Sequence, residues 1–307
     1  MKLLLTGAHG MVGRNLQEHA EASGYDMLTP PRADLDLTNY PATLAYLQAH
    51  QPDIVVHAAG KVGGIQANIK APVEFLLANL DMGRNIVWAA RQTGVTRLLN
   101  LGSSCMYPRG HNEALTEDMV LAGELEPTNE GYAIAKVATA RLCEYIVRED
   151  PQYQYKTLIP SNLYGRFDSF DPQNSHLLPA IIQKLHDAVK TGATEVEIWG
   201  DGTARREFMY AGDLADAAFR AVERFDSVPQ YMNVGLGFDY TINQYYEAAA
   251  DVLGYTGHFV HNLDRPVGMA RKLVSVARQQ AWGWTARHSL ADGITKTYDY
   301  YLKELRS

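Results

Sequence analysis

Tyr132 and Lys136, in Tyr132-Ala133-Ile134-Ala135-Lys136, place a phenol and an ammonium on one face of any helix that carries them. A phenol with its ordinary pKa near 10 is a poor acid-base group at neutral pH, and a neighbouring cation favours the phenolate. No other tyrosine in the chain has a lysine four residues on. Ser103, in Leu101-Gly102-Ser103-Ser104-Cys105-Met106-Tyr107, supplies a hydroxyl that can polarise a substrate carbonyl. Tyr132 would then protonate the carbonyl oxygen while a nicotinamide delivers hydride to its carbon. Taken singly, the Tyr-Lys spacing can arise by chance and Ser103 reads as the polar cap of a strand end.

A dinucleotide is implied by Thr6-Gly7-Ala8-His9-Gly10-Met11-Val12-Gly13, where glycines 7, 10 and 13 follow an apolar run and open a helical pattern. Residues without a Cβ let the chain turn tightly, let a pyrophosphate approach, and let helix pack on strand. The spacing is one residue longer than Gly-x-Gly-x-x-Gly. Where an NAD site would carry an acid after the second strand, the chain reads Leu28-Thr29-Pro30-Pro31-Arg32. A guanidinium there can pair with a 2′-phosphate and favours NADP; alone, Arg32 reads as a solvated loop charge. Asp36, four residues on, could instead contact the adenine. His9 and His57 flank this site without a role that the residues themselves argue.

The elements that must position these groups alternate. Lys2–Leu5, Asp26–Leu28, Asp53–His57, Arg97–Leu101 and Lys156–Pro160 read as strands; Gly10–Ser23, Tyr40–His50, Pro72–Thr93 and Gly131–Asp150 carry helical spacing. That order predicts an α/β fold, a Rossmann-type doubly wound parallel sheet whose carboxyl edge holds Ser103. Past about residue 165 the alternation weakens into turn-rich segments. The expected division is 1–165 as an NADP-binding domain, to which some later segments return, and 166–307 as a smaller C-terminal α/β substrate lobe. No Gly/Ser linker or internal repeat separates them.

The 307 residues are 46% hydrophobic and 21% charged, with two cysteines, which excludes disorder, collagen and a disulfide framework. The net charge of −7 argues against a nucleic-acid partner. Leu3-Leu4-Leu5 is too short for a signal-peptide core, and nowhere does the chain offer the roughly 18 apolar residues of a membrane-spanning helix, so a cytoplasmic setting is expected. His258-Phe259-Val260-His261 does not match a zinc pattern, and no metal is expected.

The Thr-Gly-x-x-Gly-x-x-Gly loop, strand-end serine and Tyr-x-x-x-Lys resemble the extended short-chain dehydrogenase/reductases. The resemblance spans nearly the whole chain. It extends to Lys61-Val62-Gly63-Gly64-Ile65, Gly102-Ser103-Ser104-Cys105-Met106-Tyr107-Pro108, Leu125-Glu126-Pro127-Thr128-Asn129-Glu130, Ser161-Asn162-Leu163-Tyr164-Gly165, Asn174-Ser175-His176 and Arg206-Glu207-Phe208. These segments are similar to the branch of that family that epimerises GDP-4-keto-6-deoxy-D-mannose at C3 and C5 and reduces C4 with NADPH to give GDP-L-fucose. The resemblance implies catalytic roles for Ser103, Cys105, Tyr132, Lys136 and His176, with Cys105 and His176 moving protons at C3 and C5 in an order the sequence does not assign. Outside such a motif, a lone cysteine packs and a lone loop histidine is solvated; Cys143 is assigned to packing.

The resemblance further implies NADP(H) contacts from Gly7, Ala8, His9, Gly10, Met11, Val12, Gly13, Arg32, Asp36, Leu37, Leu101, Gly102, Ser104, Lys136, Pro160, Asn162, Leu163 and His176. It implies a GDP-sugar held by Lys184, Trp199, Arg206 and Lys272, and a homodimer through the helices at 72–93 and 131–150. Two positions depart from the pattern: Lys184 stands where the family has arginine and loses its planar fork, and Val267 where it has an acid. Those departures bear on substrate identity. The same or reductase-only chemistry on a related GDP-4-ketosugar, 3,6-dideoxy or heptose, is the alternative, and a non-catalytic nucleotide sensor would need no Ser103, Tyr132 or Lys136.

Overall fold

A computed structural model describes residues 1–171, 175–265 and 270–305. Strands β1 (Lys2–Thr6), β2 (Asp26–Leu28), β3 (Ile54–His57), β4 (Arg97–Leu101) and β5 (Gln154–Pro160) are followed by β6 (Asn162–Tyr164), β7 (Glu195–Trp199), β8 (Arg205–Arg206) and β9 (Phe208–Tyr210). After them come β10 (Tyr231–Val234), β11 (Tyr240–Thr241), β12 (His258–Asn262) and β13 (Arg271–Lys272). The helices are α1 (Met11–Gln17), α2 (Tyr40–His50), α3 (Ile65–Lys70), α4 (Pro72–Gln92), α5 (Glu130–Glu149), α6 (Leu177–Thr191), α7 (Ala211–Glu223), α8 (Ile242–Leu253), α9 (Ala277–Trp282) and α10 (Leu290–Glu304).

Six strands form one parallel sheet in the order β10-β5-β4-β3-β1-β2. The chain moves from β1 outward to β2, then returns to the other side of β1 for β3, which makes the β1/β3 junction the switch point where such sheets bind ligands. Both faces are covered, so the strands are continuous apolar runs. Leu3, Leu5, Ile54, Val56, Leu99 and Leu101 pack with α1 and α7, while the alternate residues Leu4, Val55 and Leu98 pack with α2, α4 and α5. A further core joins α6, α8 and α10 to β7 and β9. Around it lie a three-stranded sheet, β11-β8-β13, and the pairs β12-β7 and β6-β9.

Two differences from the sequence reading have local causes. The helix expected over Gly10–Ser23 ends at Gln17 and gives way to a 3₁₀ turn over Ala20–Gly24. His19 is extended there, its ring stacked on Phe219 at 5.1 Å and 3.7 Å from Asp216, so α7 fixes the break. Strand β10 was not legible because its central residue is the fully buried Asn233. That amide is satisfied only by distant partners: Tyr107, the Leu115 and Ser275 carbonyls, and Glu117 at its backbone N–H.

Candidate active site

The glycine loop fits a dinucleotide by what its missing side chains would meet. Gly7 sits at φ +72°, and a Cβ there would lie 2.6 Å from the Ala59 backbone. At Gly13 a Cβ would lie 2.2 Å from the Gly7 carbonyl, so α1 packs directly on the loop. Gly10 differs: its N–H donates to the Gly7 carbonyl at 3.1 Å, but a Cβ would meet nothing closer than 3.5 Å. The open space is at the middle glycine, where a pyrophosphate can approach the backbone. Arg32 follows β2 with its side chain 82% exposed, 3.8 Å from the Asp36 carboxylate. Ala8, Leu37 and Leu101 are buried in the apolar cores, so their side chains serve packing.

At the carboxyl end of β4, the Gly102 N–H donates to the Leu158 carbonyl and Ser103 caps the 3₁₀ turn Ser104–Met106 by accepting from the Cys105 N–H at 3.2 Å. Tyr132 and Lys136 reach this point from α5. Their helix is held against α4 at close range, because Gly83 has no side chain where Thr139 crosses it. Tyr132 shares a side-chain hydrogen bond with Ser103, and the Lys136 ammonium donates to the Leu101 carbonyl at 3.0 Å. Desolvation, with a smaller contribution from Cys105, pushes the Tyr132 phenol above its ordinary value, and Ser103 opposes it. The expectation that Lys136 lowers the phenol is therefore corrected. Its ammonium is 5.9 Å from the phenol ring and turned to a carbonyl, and desolvation pulls it down to about 8.

Cys105 is partly buried, and its Sγ accepts from Asn129 Nδ2 at 3.1 Å and Lys272 Nζ at 3.6 Å. Lys272 arrives on β13, paired in register with Arg206 on β8. Arg206 Nη1 donates to the Arg205 carbonyl at 2.8 Å; burial holds the guanidinium below its ordinary value, opposed by Tyr245 and Glu126. His176 is the residue before α6 and makes no side-chain cap bond; burial lowers its imidazole below its ordinary value. Trp199 forms a separate cluster. It is half-exposed, with the Arg265 guanidinium 5.0 Å from its ring, and its neighbour Lys184 donates to the Glu197 carbonyl at 2.7 Å.

Of the candidates, Ser103, Cys105, Tyr132, Lys136 and Lys272 are linked by contacts around the end of β4, whereas Arg32, His176, Lys184 and Trp199 stand on other elements. Pro160 pairs with Val234 at the end of β5, Ser104 is buried in its turn, Leu163 packs on the sheet core, and Asn162 donates to the Glu207 carbonyl at 3.2 Å. Asn174 and Val267 lie outside the described residues.

Asn79 and Asn129 escaped the sequence reading as functional positions. Asn79 on α4 accepts from the Lys61 N–H and donates to its carbonyl, fixing the loop whose Gly60 lies beside Lys136. A buried polar residue on the apolar face of a predicted helix was the available signal. A cavity of about 470 Å³ between the loop after Tyr107 and β13 is lined by Arg109, His111, Glu126 and Arg271, none of them a sequence-derived candidate. Among the described residues there is no group of three His, Cys, Asp or Glu that could hold a metal, and no helix is long and apolar enough to cross a membrane.

A doubly wound parallel sheet with a glycine loop at its switch point and Ser, Tyr and Lys at its carboxyl edge defines the extended short-chain dehydrogenase/reductase class. The chain belongs to the NAD dependent epimerase/dehydratase family, which matches residues 3–235. It is 54% identical over 304 residues to a GDP-L-colitose synthase of Yersinia pseudotuberculosis, covering 99% of each chain. It is 50% identical over 301 residues to a GDP-L-fucose synthase of Azorhizobium caulinodans, covering 98% of this chain and 96% of that one. Among solved structures it superposes on MlghC, a GDP-mannoheptose C4 reductase from Campylobacter jejuni with NADP bound, with TM-score 0.87, 28% identity and 98% of each chain covered.

Proposed function

We propose that this protein epimerises GDP-4-keto-6-deoxy-D-mannose at C3 and C5 and reduces C4 with NADPH, giving GDP-L-fucose. The observation that carries the reading is the meeting of two proton-handling sets at the end of β4: Ser103, Tyr132 and Lys136 for a ketone, and Cys105 beside them for the carbons flanking it. In this reading Cys105 and His176 remove and return the protons at C3 and C5. The electron pair left on carbon spreads into the C4–O bond, and Ser103 and Tyr132 stabilise the resulting enolate by hydrogen bonding. NADPH, when bound, supplies the hydride for C4. Tyr132 gives its proton to the C4 oxygen, and its raised phenol keeps that proton in place until charge develops there. Lys136, whose Nζ lies near Gly60, would face the nicotinamide ribose.

NADP(H) would be held by the loop Gly7–Gly13 and by Arg32 at the 2′-phosphate; a heptose reductase 28% identical to this chain has NADP bound. Arg206, Lys184 and Trp199 would hold the GDP-sugar, with Lys272 beside Arg206 on the paired strand, and the division at residue 165 separates these tasks. The distinct core around α6, α8 and α10 supports that division, with β10 and α7 as the segments that return to the first domain. A cytoplasmic homodimer fits the exposed Val73, Leu77, Ile134 and Tyr145 on α4 and α5. The 54% identity to a GDP-L-colitose synthase favours one further substrate, a 3,6-dideoxy GDP-4-ketosugar.

The deciding experiment offers each ketosugar with NADPH in heavy water and reads cofactor oxidation and ring deuteration together. Oxidation with deuterium at C3 and C5 of GDP-4-keto-6-deoxymannose is expected. Oxidation without deuterium would leave a plain reductase, and binding without turnover a sensor; either overturns the proposal.

A further inference from the structure

Cys105 has two N–H donors on one sulfur, more than packing requires. Neutral thiols are weak acceptors, whereas a thiolate gains from a nearby ammonium and from amide donors. We propose that Lys272 and Asn129 are positioning residues that hold Cys105 as a thiolate, ready to take a proton from the sugar ring, and that Lys272 serves this sulfur and leaves the diphosphate to Arg206. The catalytic part of this inference rests on the epimerase reading above; the state of the sulfur does not.

Asn129 supplies independent support. It precedes α5 at the position where asparagine ordinarily caps a helix with its side-chain oxygen. Yet it makes no cap bond: Nδ2 is turned to the Cys105 sulfur and Oδ1 is buried with no hydrogen-bond partner. The turn Pro127–Asn129 leading into α5 is capped by Glu126, which accepts from the Thr128 N–H, so the Asn129 amide is left to the sulfur although its Oδ1 is buried unpaired, an arrangement that costs stability. The route of Lys272 gives the same answer. Register pairing sets it beside Arg206 on the adjacent strand, so the two cations start from neighbouring positions, but Lys272 Nζ ends 3.6 Å from Sγ. Negative charge on this sulfur would also strengthen the hold of Tyr132 and Lys136 on their protons, which keeps Tyr132 a donor while Cys105 is a base.

The step balances within the site. The thiolate takes the hydrogen next to the ketone as S–H, the C–H electron pair passes into the C4–O enolate, and Lys272 keeps all its protons.

Alkylation by iodoacetamide tests the sulfur without substrate or cofactor. Cys143 is fully buried, so in the folded protein the reagent reads Cys105, with Cys105→Ser as the blank. At neutral pH, Lys272→Met should slow alkylation roughly tenfold, since the thiolate is the reacting form. Asn129→Ala should slow it several-fold, and Lys272→Arg should retain most of the wild-type rate. With a GDP-4-ketosugar, Lys272→Met should lower kcat for ring deuteration more than it raises KM. Wild-type alkylation of Lys272→Met with KM alone raised would make Lys272 a diphosphate ligand and overturn the proposal. Failure of Lys272→Arg to react faster than Lys272→Met would overturn it as well. Absence of turnover on every GDP-4-ketosugar would sink the functional reading, and the alkylation rates would still decide the state of Cys105.

Discussion

Tyr132 gives up most of its water to reach Ser103, and that desolvation raises its phenol. A raised phenol is a poor base and a secure acid, which suits a group that must deliver one proton to a developing alkoxide and never lose it to solvent. The Tyr-x-x-x-Lys spacing is local and therefore readable, but the sign of the shift is not. It depends on how deeply α5 sinks the ring and on Lys136 turning its ammonium to the Leu101 carbonyl. Removing the phenolic oxygen should separate binding from chemistry. Tyr132→Phe is expected to bind NADPH with unchanged affinity, measured by fluorescence titration, while reduction falls by about 10²–10⁴. Undiminished reduction in that variant would remove Tyr132 from the proton path.

Between residue and molecule stand the short connections that bring distant strands to one edge, and Glu207 makes several of them. It is 1% exposed, and its carboxylate accepts from the backbone N–H groups of Val274 at 2.9 Å, Leu236 at 2.5 Å and Gly237 at 3.2 Å. It thereby ties the ends of β10 and β13 to β8 and β9, and so fixes both Arg206 and Lys272. The Arg206-Glu207-Phe208 motif was legible as a family mark, but the partners of its glutamate lie 29 and more residues away and no spacing predicts them. The same separation hid the contact of Lys272 with Cys105 across 167 residues, whereas the glycine loop and the Tyr-Lys pair are complete within one turn of chain. Desolvation raises the Glu207 carboxyl to about 7, so below that pH the folded state holds a proton that the unfolded chain releases above its ordinary value of 4.5. Stability from this group is therefore present at low pH and lost as pH rises from 4.5 to about 7. Thermal melts should show that slope in the wild type and a flatter profile over the same window in Glu207→Gln. Glu207→Ala, which leaves three backbone N–H groups without an acceptor, should lose about 3 kcal/mol at pH 7. Equal pH profiles for wild type and Glu207→Gln would exclude Glu207 as the titrating group.

For the whole molecule, the alternating apolar faces of the parallel sheet follow from sequence because burial on both sides writes itself as runs such as Leu3-Leu4-Leu5. The outer surface is less direct, since an apolar residue facing a partner and one facing the sheet look alike in a helix that is apolar on more than one face. The structure separates them. On α4, Phe75, Ile86, Val87, Ala89 and Ala90 point inward, while Val73 and Leu77 are 66% and 52% exposed; on α5, Ala133, Val137 and Ile146 are buried, while Ile134 and Tyr145 are 43% and 50% exposed. Because α4 and α5 pack side by side, the exposed set presents large apolar side chains where a single chain would ordinarily be polar. A second copy meeting this face across a two-fold axis would bury it as a four-helix contact, with the Tyr132 helix at its centre. Sedimentation of the wild type should give a dimer, and Leu77→Glu with Ile134→Glu a monomer, because two buried carboxylates per chain would face their own copies across the axis. Neither residue touches Ser103, Cys105 or Lys136 in the described contacts, so the monomeric variant should still bind NADPH. A wild-type monomer, or a double variant that stays dimeric, would place any interface elsewhere and leave these helices' apolar faces without a partner.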